Sequence, residues 1–498
     1  MIAATLAMLM FLLQGHVGLN LQDEAFLWYG ALRTHAGELP LRDFRAYDPG
    51  RYWWCSAAIA LCGEGPVTIR AANWAFAALG LAAGLLVASR ASRSVPWLVA
   101  AGVALAAWMH PPWKPYEPSL ALIAAWAAVR VAEAPSSGRR LAAGVVVGAA
   151  AFFGRNLGVY AGLALLAVAL TAAWKSRQPL LRSLGELALG TLAGYAPMLA
   201  LVAFADGYGR AFLDSIAFYA RQGALNAELP FPWPWRVDLT RREGFAAVAA
   251  VVVGTLFLLV PLTCAAAILR GALAGAADLE RRTRAFALGC TGLAWFHHAS
   301  VRSDLPHLAQ SIHPFLLLVL CAPAAIEGTR GRLARGAVAA GVLALTVLGV
   351  GGALPWVRRA LSTTPYVPVQ VRGDELRLPP SEAALLTTLV ATLEARVRPD
   401  EELWVGPRYL ALWPVLGRRA PTWDVYPAWR ADEAEQERML TELADVRWAL
   451  LDLRPIGGDP QMRLELSHPR VWRWILASFE RVPLPGAPET TILLRRRS

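Results

Sequence analysis

The chain has 498 residues, of which 56% are hydrophobic and 17% are charged, and its formal net charge is +11. Because a soluble domain is typically about 25% charged, much of this chain cannot face water. The positive charge is spread between apolar runs rather than gathered in one basic stripe, which argues against nucleic acid as a partner.

Apolar runs near 20 residues long recur through the first two thirds of the chain, and about 20 residues of helix cross a hydrocarbon core of roughly 30 Å. The runs are 1–19, 67–89, 95–110, 116–133, 141–154, 157–174, 184–204, 245–269, 284–298, 309–327 and 333–352. They predict a polytopic α-helical membrane protein with about 11 transmembrane helices within residues 1–355. The first run lacks a basic start and a convincing cleavage site, so we expect an uncleaved span rather than a signal peptide.

Every second loop is rich in Arg and Lys, which is typical of short cytoplasmic loops. The groups are Arg90 and Arg93; Arg139 and Arg140; Lys175, Arg177 and Arg182; Arg281, Arg282 and Arg284; and Arg330, Arg332 and Arg335. The remaining loops, 20–66, 111–115, 205–244 and 299–308, are therefore predicted to face the outer, periplasmic side of the inner membrane. The same holds for everything after about residue 353.

Two adjacent carboxylates, Asp23 and Glu24, open the first outer loop and are the candidate catalytic residues. Neighbouring residues on a helix point in different directions, so the two side chains cannot share one task. Asp23 could simply cap the helix that follows, or it could act as a general base at the water–membrane boundary. Later in the same loop, Asp48 and Arg51 in YDPGRYW either form a turn before Pro49 or support a site.

Two basic residues stand alone in the outer segments. Lys114 in HPPWKPYEP is either an anchor whose head group reaches the interface or a phosphate contact. Arg155 in FFGRNLGVYAG lies at the junction of two spans and needs an anionic partner. That partner could be a carboxylate, a lipid headgroup or a substrate phosphate, which Arg binds in bidentate fashion. Further along, an amphipathic segment is predicted around 209–225.

The segment WFHHASVRSDLPHLAQSIHP, residues 295–314, holds half of the chain's His residues. Arg302, His307 and His298 suit a phosphate, and Asp304 could orient one of them. A zinc site needs three or four convergent ligands, and the spacing matches none of the standard patterns. The sequence therefore predicts an anion site here, with helix capping or loop polarity as the alternative. No cofactor is predicted, although a divalent metal stays open.

From about residue 370 the chain becomes more charged, and residues 356–498 are predicted to form an extracytoplasmic α/β domain. We predict helices over 381–397, over RYLALWPVLG and over DEAEQERMLTELADV, strands at ELWVGP and RWALLDL, and a final hairpin of FERVPL with ETTILLRR. Asp432 and Glu435 have the spacing of a capping box.

These features together resemble the GT-C glycosyltransferases. The most specific stretch is DEAFLWYGALRTHAGELPLRDFRAYDPGRYW, which is similar to the family's DEa-x-Y-x…G-x-x-P-Y-x-D-F…P-P-x pattern. The closest resemblance is to the branch with the aminoarabinose transferase of lipid A, the galacturonosyltransferases and, more distantly, the protein O-mannosyltransferases. Two departures exist: DPG stands where many members have Pro-Pro, and VRSDLPH is not the metal-binding arrangement of the aminoarabinose transferase. The sugar and any metal requirement therefore do not carry over.

The resemblance implies a GT-C fold over nearly the whole chain and inverting transfer of a sugar from a polyprenyl-phosphate donor to a lipid or glycan acceptor. It implies that Asp23 is the catalytic base and that Arg155 binds the donor phosphate. A transporter or flippase of lipid-linked glycans is the alternative, and a catalytically inactive scaffold is a third hypothesis. Transporters commonly show internal repeats, whereas the candidate residues here crowd the predicted outer side, which favours the enzyme.

Overall fold

The computed structural model describes residues 1–222, 229–240, 244–273 and 279–497. The chain forms two compact units. The first contains Met1–Gly15, Arg70–Ala203 and the described residues of Leu229–Ala360. The second contains the described residues of His16–Ile69, Phe204–Glu228 and Leu361–Ser498. The end of the predicted amphipathic segment, 223–225, lies outside the described residues.

The first unit is helical, and each predicted apolar run coincides with a helix or with a pair of short helices. Numbered along the whole chain, its helices are α1 (Ile2–Gln14), α4 (Pro66–Ala88), α5 (Val95–Ala107), α6 (Tyr116–Glu133), α7 (Ser137–Phe153), α8 (Arg155–Lys175), α9 (Leu180–Phe204), α11 (Gly244–Ala272), α12 (Leu279–Val301), α13 (Leu305–Ser311), α14 (His313–Cys321), α15 (Gly328–Gly349) and α16 (Pro355–Leu361).

Within the described residues, five helices are long and apolar enough to cross a membrane, or six if α13 and α14, bent by 53° to one another, form one span. This confirms an integral membrane protein, while the number of eleven spans stays a prediction. α12 falls short because it is polar, but it packs between α6, α8 and α11. A helix surrounded by protein can carry polar residues that lipid would not tolerate.

Ion pairs gather several of the Arg residues from the predicted inner loops. Glu133 at the end of α6 binds Arg90 and Arg284, each at 2.9 Å. Glu186 binds Arg140 at 2.6 Å and Arg182 at 3.0 Å. These contacts place the Arg-rich ends of the helices together.

The same contacts show which helix ends lie at the opposite end of this unit. Arg284, near the start of α12, touches the end of α6, so the two helices run antiparallel. Glu117 lies sixteen positions before Glu133, which is roughly 24 Å of helix at 1.5 Å per residue. The start of α6 and the end of α12 therefore meet at the end away from the Arg-rich loops, about one hydrocarbon thickness away.

The second unit combines helices with two small sheets. Its elements are α2 (Asp23–His35), α3 (Gly50–Cys62), α10 (Tyr208–Gln222), β1 (Val367–Val371), β2 (Asp374–Leu378), α17 (Pro380–Arg396), β3 (Leu403–Gly406), α18 (Leu412–Leu416), α19 (Glu433–Glu442), β4 (Trp448–Asp452), α20 (Leu464–Ser467), α21 (Pro469–Ser478), β5 (Phe479–Val482) and β6 (Thr491–Arg496). The larger sheet has the order β3-β4-β6-β5. β3 and β4 are parallel, and the other pairs are antiparallel.

Most predicted elements of the C-terminal region are present. The structure confirms the helix at 381–397, both buried strands, the final hairpin and the capping box of Asp432 and Glu435. The helix predicted over RYLALWPVLG is shorter than expected: it begins only at Leu412 and ends at Leu416, where Gly417 follows with a positive φ of 64°. The β1–β2 hairpin was not predicted. Its turn residues, Arg372 and Gly373, both have positive φ, which is typical of a tight hairpin turn.

Loop 20–66 is hydrogen bonded to the C-terminal region. Tyr29 Oη accepts a bond from Ala420 N at 3.0 Å, and Arg45 N donates to Trp423 O at 2.8 Å. The loop therefore belongs to the second compact unit. The sequence predicts that this loop belongs with the spans of residues 1–355 and that a single domain boundary lies at 355/356. The compact units of the structure divide the chain differently here.

Candidate active site

Asn20 lies in the turn just before α2, the helix that carries Asp23 and Glu24. Its Oδ1 accepts bonds from the backbone N–H groups of Gln22, Asp23 and Glu24, at 3.0, 2.8 and 3.4 Å. In return, Glu24 Oε2 accepts the Asn20 N–H at 3.0 Å. This reciprocal arrangement resembles a capping box. Asn20 was not among the predicted residues, and its side chain accepts the N–H groups at the start of α2, which is the capping role considered for Asp23.

The two carboxylates have different surroundings, as their adjacent positions on one helix require. Glu24 is 2% exposed and holds the Asn20 backbone, so it has a visible structural task. Asp23 is half-buried, in the first turn of α2. A carboxylate at this end of a helix is stabilised by the helix dipole and is more accessible to a substrate than its neighbour.

Asp48 and Arg51 are both buried at the start of α3, which packs against α2. The Arg51 guanidinium lies 4.6 Å from the centre of the Tyr47 ring. That ring in turn meets Phe26 of α2 edge to face, with the ring centres 5.1 Å apart. The structure thus brings these two residues to the same part of the second unit as the first turn of α2.

In the first unit, the His-rich segment forms a connected polar cluster where α12 ends and α13 begins. Asp304 caps α13: its Oδ1 accepts bonds from His307 N at 2.9 Å and from His307 Nδ1 at 2.6 Å. Its Oδ2 lies 3.3 Å from Arg302 Nε. Burial acts to raise the pKa of Asp304, but the His307 hydrogen bonds and the charges of His307 and Arg302 outweigh it, so the pKa lies below the usual value.

Four further side chains extend this cluster. His298 Nε2 donates to Gln310 Oε1 at 3.1 Å, and its ring centre lies 5.1 Å from that of His307. Tyr160 of α8 shares a hydrogen bond of 3.1 Å with His297. Tyr160, Gln310 and His297 were not predicted as site residues. Tyr160 and Gln310 are uncharged and carry no distinctive spacing, so they are revealed only by their contacts with His297 and His298 near the end of α12.

Lys114 and Arg155 lie at the same end of the helices. Lys114 precedes α6, and both it and Glu117 act electrostatically on His298. Arg155 begins α8 and lies five residues before Tyr160, about 7.5 Å along the helix axis. All six candidates from the first unit are thus at one end: Lys114, Arg155, His298, Arg302, Asp304 and His307.

Several hydrogen-bond donors lie at this end of the unit. Arg155 stands where the dipole of a 21-residue helix is already positive, an arrangement that favours an anion. Trp113 Nε1 and Trp295 Nε1 are buried and find no hydrogen-bond acceptor among the described residues. An unsatisfied buried donor costs about 1–3 kcal/mol, which an anionic ligand would relieve.

Potential metal ligands of the types His, Cys, Asp and Glu occur in the described part of the chain. There, no group of three or more His, Cys, Asp or Glu side chains is arranged to hold a metal ion. In the His-rich segment the potential ligands instead bind protein partners, as in the His307–Asp304 and His298–Gln310 pairs.

Comparisons with known proteins identify the fold. No family model matches the chain, and no curated protein matches its sequence. The structure is similar to that of ArnT from Cupriavidus metallidurans bound to undecaprenyl phosphate, with a TM-score of 0.55 and 13% identity over 99% of this chain and 97% of that one. The apo state of the same ArnT gives a TM-score of 0.48 and 14% identity over 99% and 96%. ArnT is an aminoarabinose transferase of the GT-C class, and this chain has the GT-C fold.

Proposed function

We propose that this protein is an inverting glycosyltransferase that moves a sugar from a polyprenyl-phosphate donor to an acceptor in the cell envelope. The observation that carries the proposal is the shared fold over 99% of the chain with a protein solved in complex with undecaprenyl phosphate. The fold alone does not identify the donor, the catalytic base or the side of the membrane, so the proposal rests in addition on the residues described above.

The donor phosphate is assigned to the cluster in the first unit. Arg155, Arg302 and Lys114 supply positive charge, and His307 supplies a hydrogen-bond donor. When the sugar leaves the phosphate, negative charge develops on the phosphate oxygens. Fixed positive groups aimed at such a charge are usually the largest catalytic contribution, and one donor contributes several kcal/mol. Asp304 and His298 are assigned to positioning these groups.

The acceptor hydroxyl is assigned to Asp23. An inverting transfer needs a base that takes the hydroxyl proton as the oxygen attacks the anomeric carbon, while the polyprenyl phosphate departs. Asp23 suits this role because Asn20 caps the helix and Glu24 is occupied by the Asn20 backbone. Asp48 and Arg51 are assigned to supporting this region.

The reaction is assigned to the outer side of the inner membrane. The paired Arg residues near Glu133 and Glu186 mark the opposite end of the helices, and Arg-rich short loops stay in the cytoplasm. A membrane-held donor explains why the enzyme itself is embedded in the membrane.

Asp23→Asn tests the proposal. The wild type should transfer sugar from a polyprenyl-phosphate donor in detergent, and the variant should lose about 10²–10⁴ in rate, the usual contribution of a general base. Its melting temperature should change little, since Asn20 provides the cap. Wild-type turnover by Asp23→Asn would remove Asp23 as the base.

Two matched variants separate chemistry from structure. Glu24→Gln keeps an oxygen for the Asn20 N–H and should stay active. Asn20→Ala removes the cap and should lose about 1 kcal/mol of stability, yet retain most of its turnover per folded molecule. If the wild type moves a lipid-linked sugar across vesicles without transferring it, the flippase hypothesis replaces the enzyme.

A further inference from the structure

A cavity of about 470 Å³ lies within the second unit. Its walls come from the segment around Arg42 and Arg45, from α10 and from α19 with the residues just before it. Small-molecule sites typically measure about 300–1,000 Å³, so the cavity can hold one or two sugar rings. None of the groups assigned above to the donor or to the base belongs to its lining.

Arg45 is the unusual residue of this cavity. It is 8% exposed, and its guanidinium lies 4.3 Å from the centres of the Phe218 and Trp429 rings, which meet each other edge to face. Its Nη1 donates to Asp424 Oδ2 at 2.6 Å. Its Nη2 is buried and has no hydrogen-bond partner in the part of the chain that the structure describes. A buried donor left in this way costs about 1–3 kcal/mol, so a further oxygen atom is expected beside it.

The charges around the cavity are balanced. Four Arg side chains and four Asp or Glu side chains line it. A phosphate or sulfate would gain from the Arg residues but would also be repelled by the carboxylates. A neutral sugar has no such conflict, because each hydroxyl can accept a bond from a guanidinium and donate one to a carboxylate.

Aromatic rings complete the lining. Phe218, Tyr219 and Trp423 face the cavity, and rings of this kind pack against the CH groups of a sugar. A few polar groups that fix orientation, set among apolar and aromatic surface, are what small-molecule sites generally contain. Size, charge balance and rings therefore agree on one class of ligand.

We propose that this cavity binds an uncharged sugar unit of a glycan acceptor, with Arg45 Nη2 donating to one of its oxygens. The identification of this sugar as part of an acceptor rests on the proposed transferase function, whereas sugar binding by the cavity does not. An adjacent cavity of about 20 Å³ also touches Arg45, which is space for one water molecule. A buried water at Nη2 is thus the competing explanation, and the experiment must separate the two.

The test is direct binding to the full-length protein, purified in a zwitterionic detergent because detergents with sugar head groups would compete. Saturation-transfer NMR is recorded with the neutral disaccharides N,N′-diacetylchitobiose and lactose, and with the anions digalacturonate and glucose 1-phosphate. We expect a neutral disaccharide to bind, and Arg45→Lys and Phe218→Leu each to weaken it at least tenfold. Lys keeps the charge but loses the planar stacking and the second donor of Arg. Leu213→Ala, on the exposed part of α10, should bind like the wild type.

Each outcome decides the proposal. Binding of neither neutral disaccharide by the wild type, binding of the anions alone, or equal binding by both cavity variants would refute the site and leave the water explanation. Melting curves identify a variant that fails to fold, and the other variant then carries the comparison. Sugar binding without any glycosyl transfer would refute the proposed function but keep the site. Glycosyl transfer without sugar binding would support the proposed function and refute the site.

Discussion

Asp304→Asn is the most informative change in the polar cluster, because Asn matches Asp in shape. Its Oδ1 can still accept the His307 backbone N–H and cap α13, so the change removes the charge but not the cap. Two contacts lose their charge assistance: the one to His307 Nδ1 at 2.6 Å and the one to Arg302 Nε at 3.3 Å. Both partners are assigned to the donor phosphate, so we expect their orientation to relax.

The size of the effect follows from distance and exposure. A hydrogen bond to a charged group contributes about 1.5–3 kcal/mol. The side chains of Asp304, Arg302 and His307 keep 24%, 24% and 20% of their exposure, so solvent screens the contacts and the lower end applies. About 1.5 kcal/mol corresponds to roughly a tenfold loss in kcat. KM for the donor should not rise, because removing a negative charge does not weaken binding of a phosphate.

The assay is steady-state transfer from a polyprenyl-phosphate sugar, with kcat and KM determined separately. The matched control is Asp459→Asn: Asp459 also accepts a backbone N–H at the start of a short helix, but it lies in the C-terminal region. The control should be unchanged. A raised KM with an unchanged kcat would mean that the cluster contributes only uniform binding, and an unchanged kcat and KM would remove Asp304 from the site.

Three other predictions address charge and topology. Arg155→Ala should weaken use of the donor by about 1.5–3 kcal/mol in kcat/KM, whereas Arg332→Ala should not; equal donor kinetics in both would exclude Arg155 from the phosphate site. Reporter fusions should give a cytoplasmic signal after residues 92, 138, 178, 282 and 332 and an outer signal after 230 and 380, because of the alternating Arg bias; a cytoplasmic signal at 380 would invert the proposed site. Burial raises the pKa of Glu442 in the folded protein. This group therefore favours the folded protein below its usual pKa of about 4.3, and the contribution is lost as the pH rises through the pKa of the folded state. Glu442→Gln should therefore raise the melting temperature relative to wild type more at pH 7.5 than at pH 4.5; the same difference at both pH values, or an equal response of Glu437→Gln on the same helix, would contradict the pKa shift.

The helices of the first unit could be predicted from the sequence because hydrophobicity over about 20 residues is a local property. The strands at Leu403–Gly406 and Trp448–Asp452 could be predicted as well, since both are short, mainly apolar runs, and both are fully buried in the structure. The β1–β2 hairpin was not, because DELRL alternates weakly and its turn has Arg372 where glycine or asparagine usually stands. The grouping of loop 20–66 depends on hydrogen bonds to residues nearly 400 positions away, which no local pattern encodes.

The polar residues singled out above divide in the same way. Arg302, Asp304 and His307 could be predicted because rare polar residues between apolar runs are conspicuous. Tyr160 and Gln310 could not, since either residue has many ordinary uses, and their role in the cluster follows only from partners on another element. Arg45 is the extreme case: one Arg among many in the sequence, it becomes distinctive only when burial, two ring contacts and an unsatisfied Nη2 coincide.

Asn20, which was not predicted, changes the interpretation of the carboxylate pair Asp23 and Glu24. From the sequence, Asp23 could cap a helix or act as a base, and the two roles compete for the same oxygens. In the structure Asn20 accepts the three N–H groups that open α2, and it does so without a charge. Glu24 then becomes the partner of the Asn20 backbone and is withdrawn from solvent. In the proposed function the half-buried Asp23 takes the acceptor proton, a role for which Glu24 is less suited because it is withdrawn from solvent.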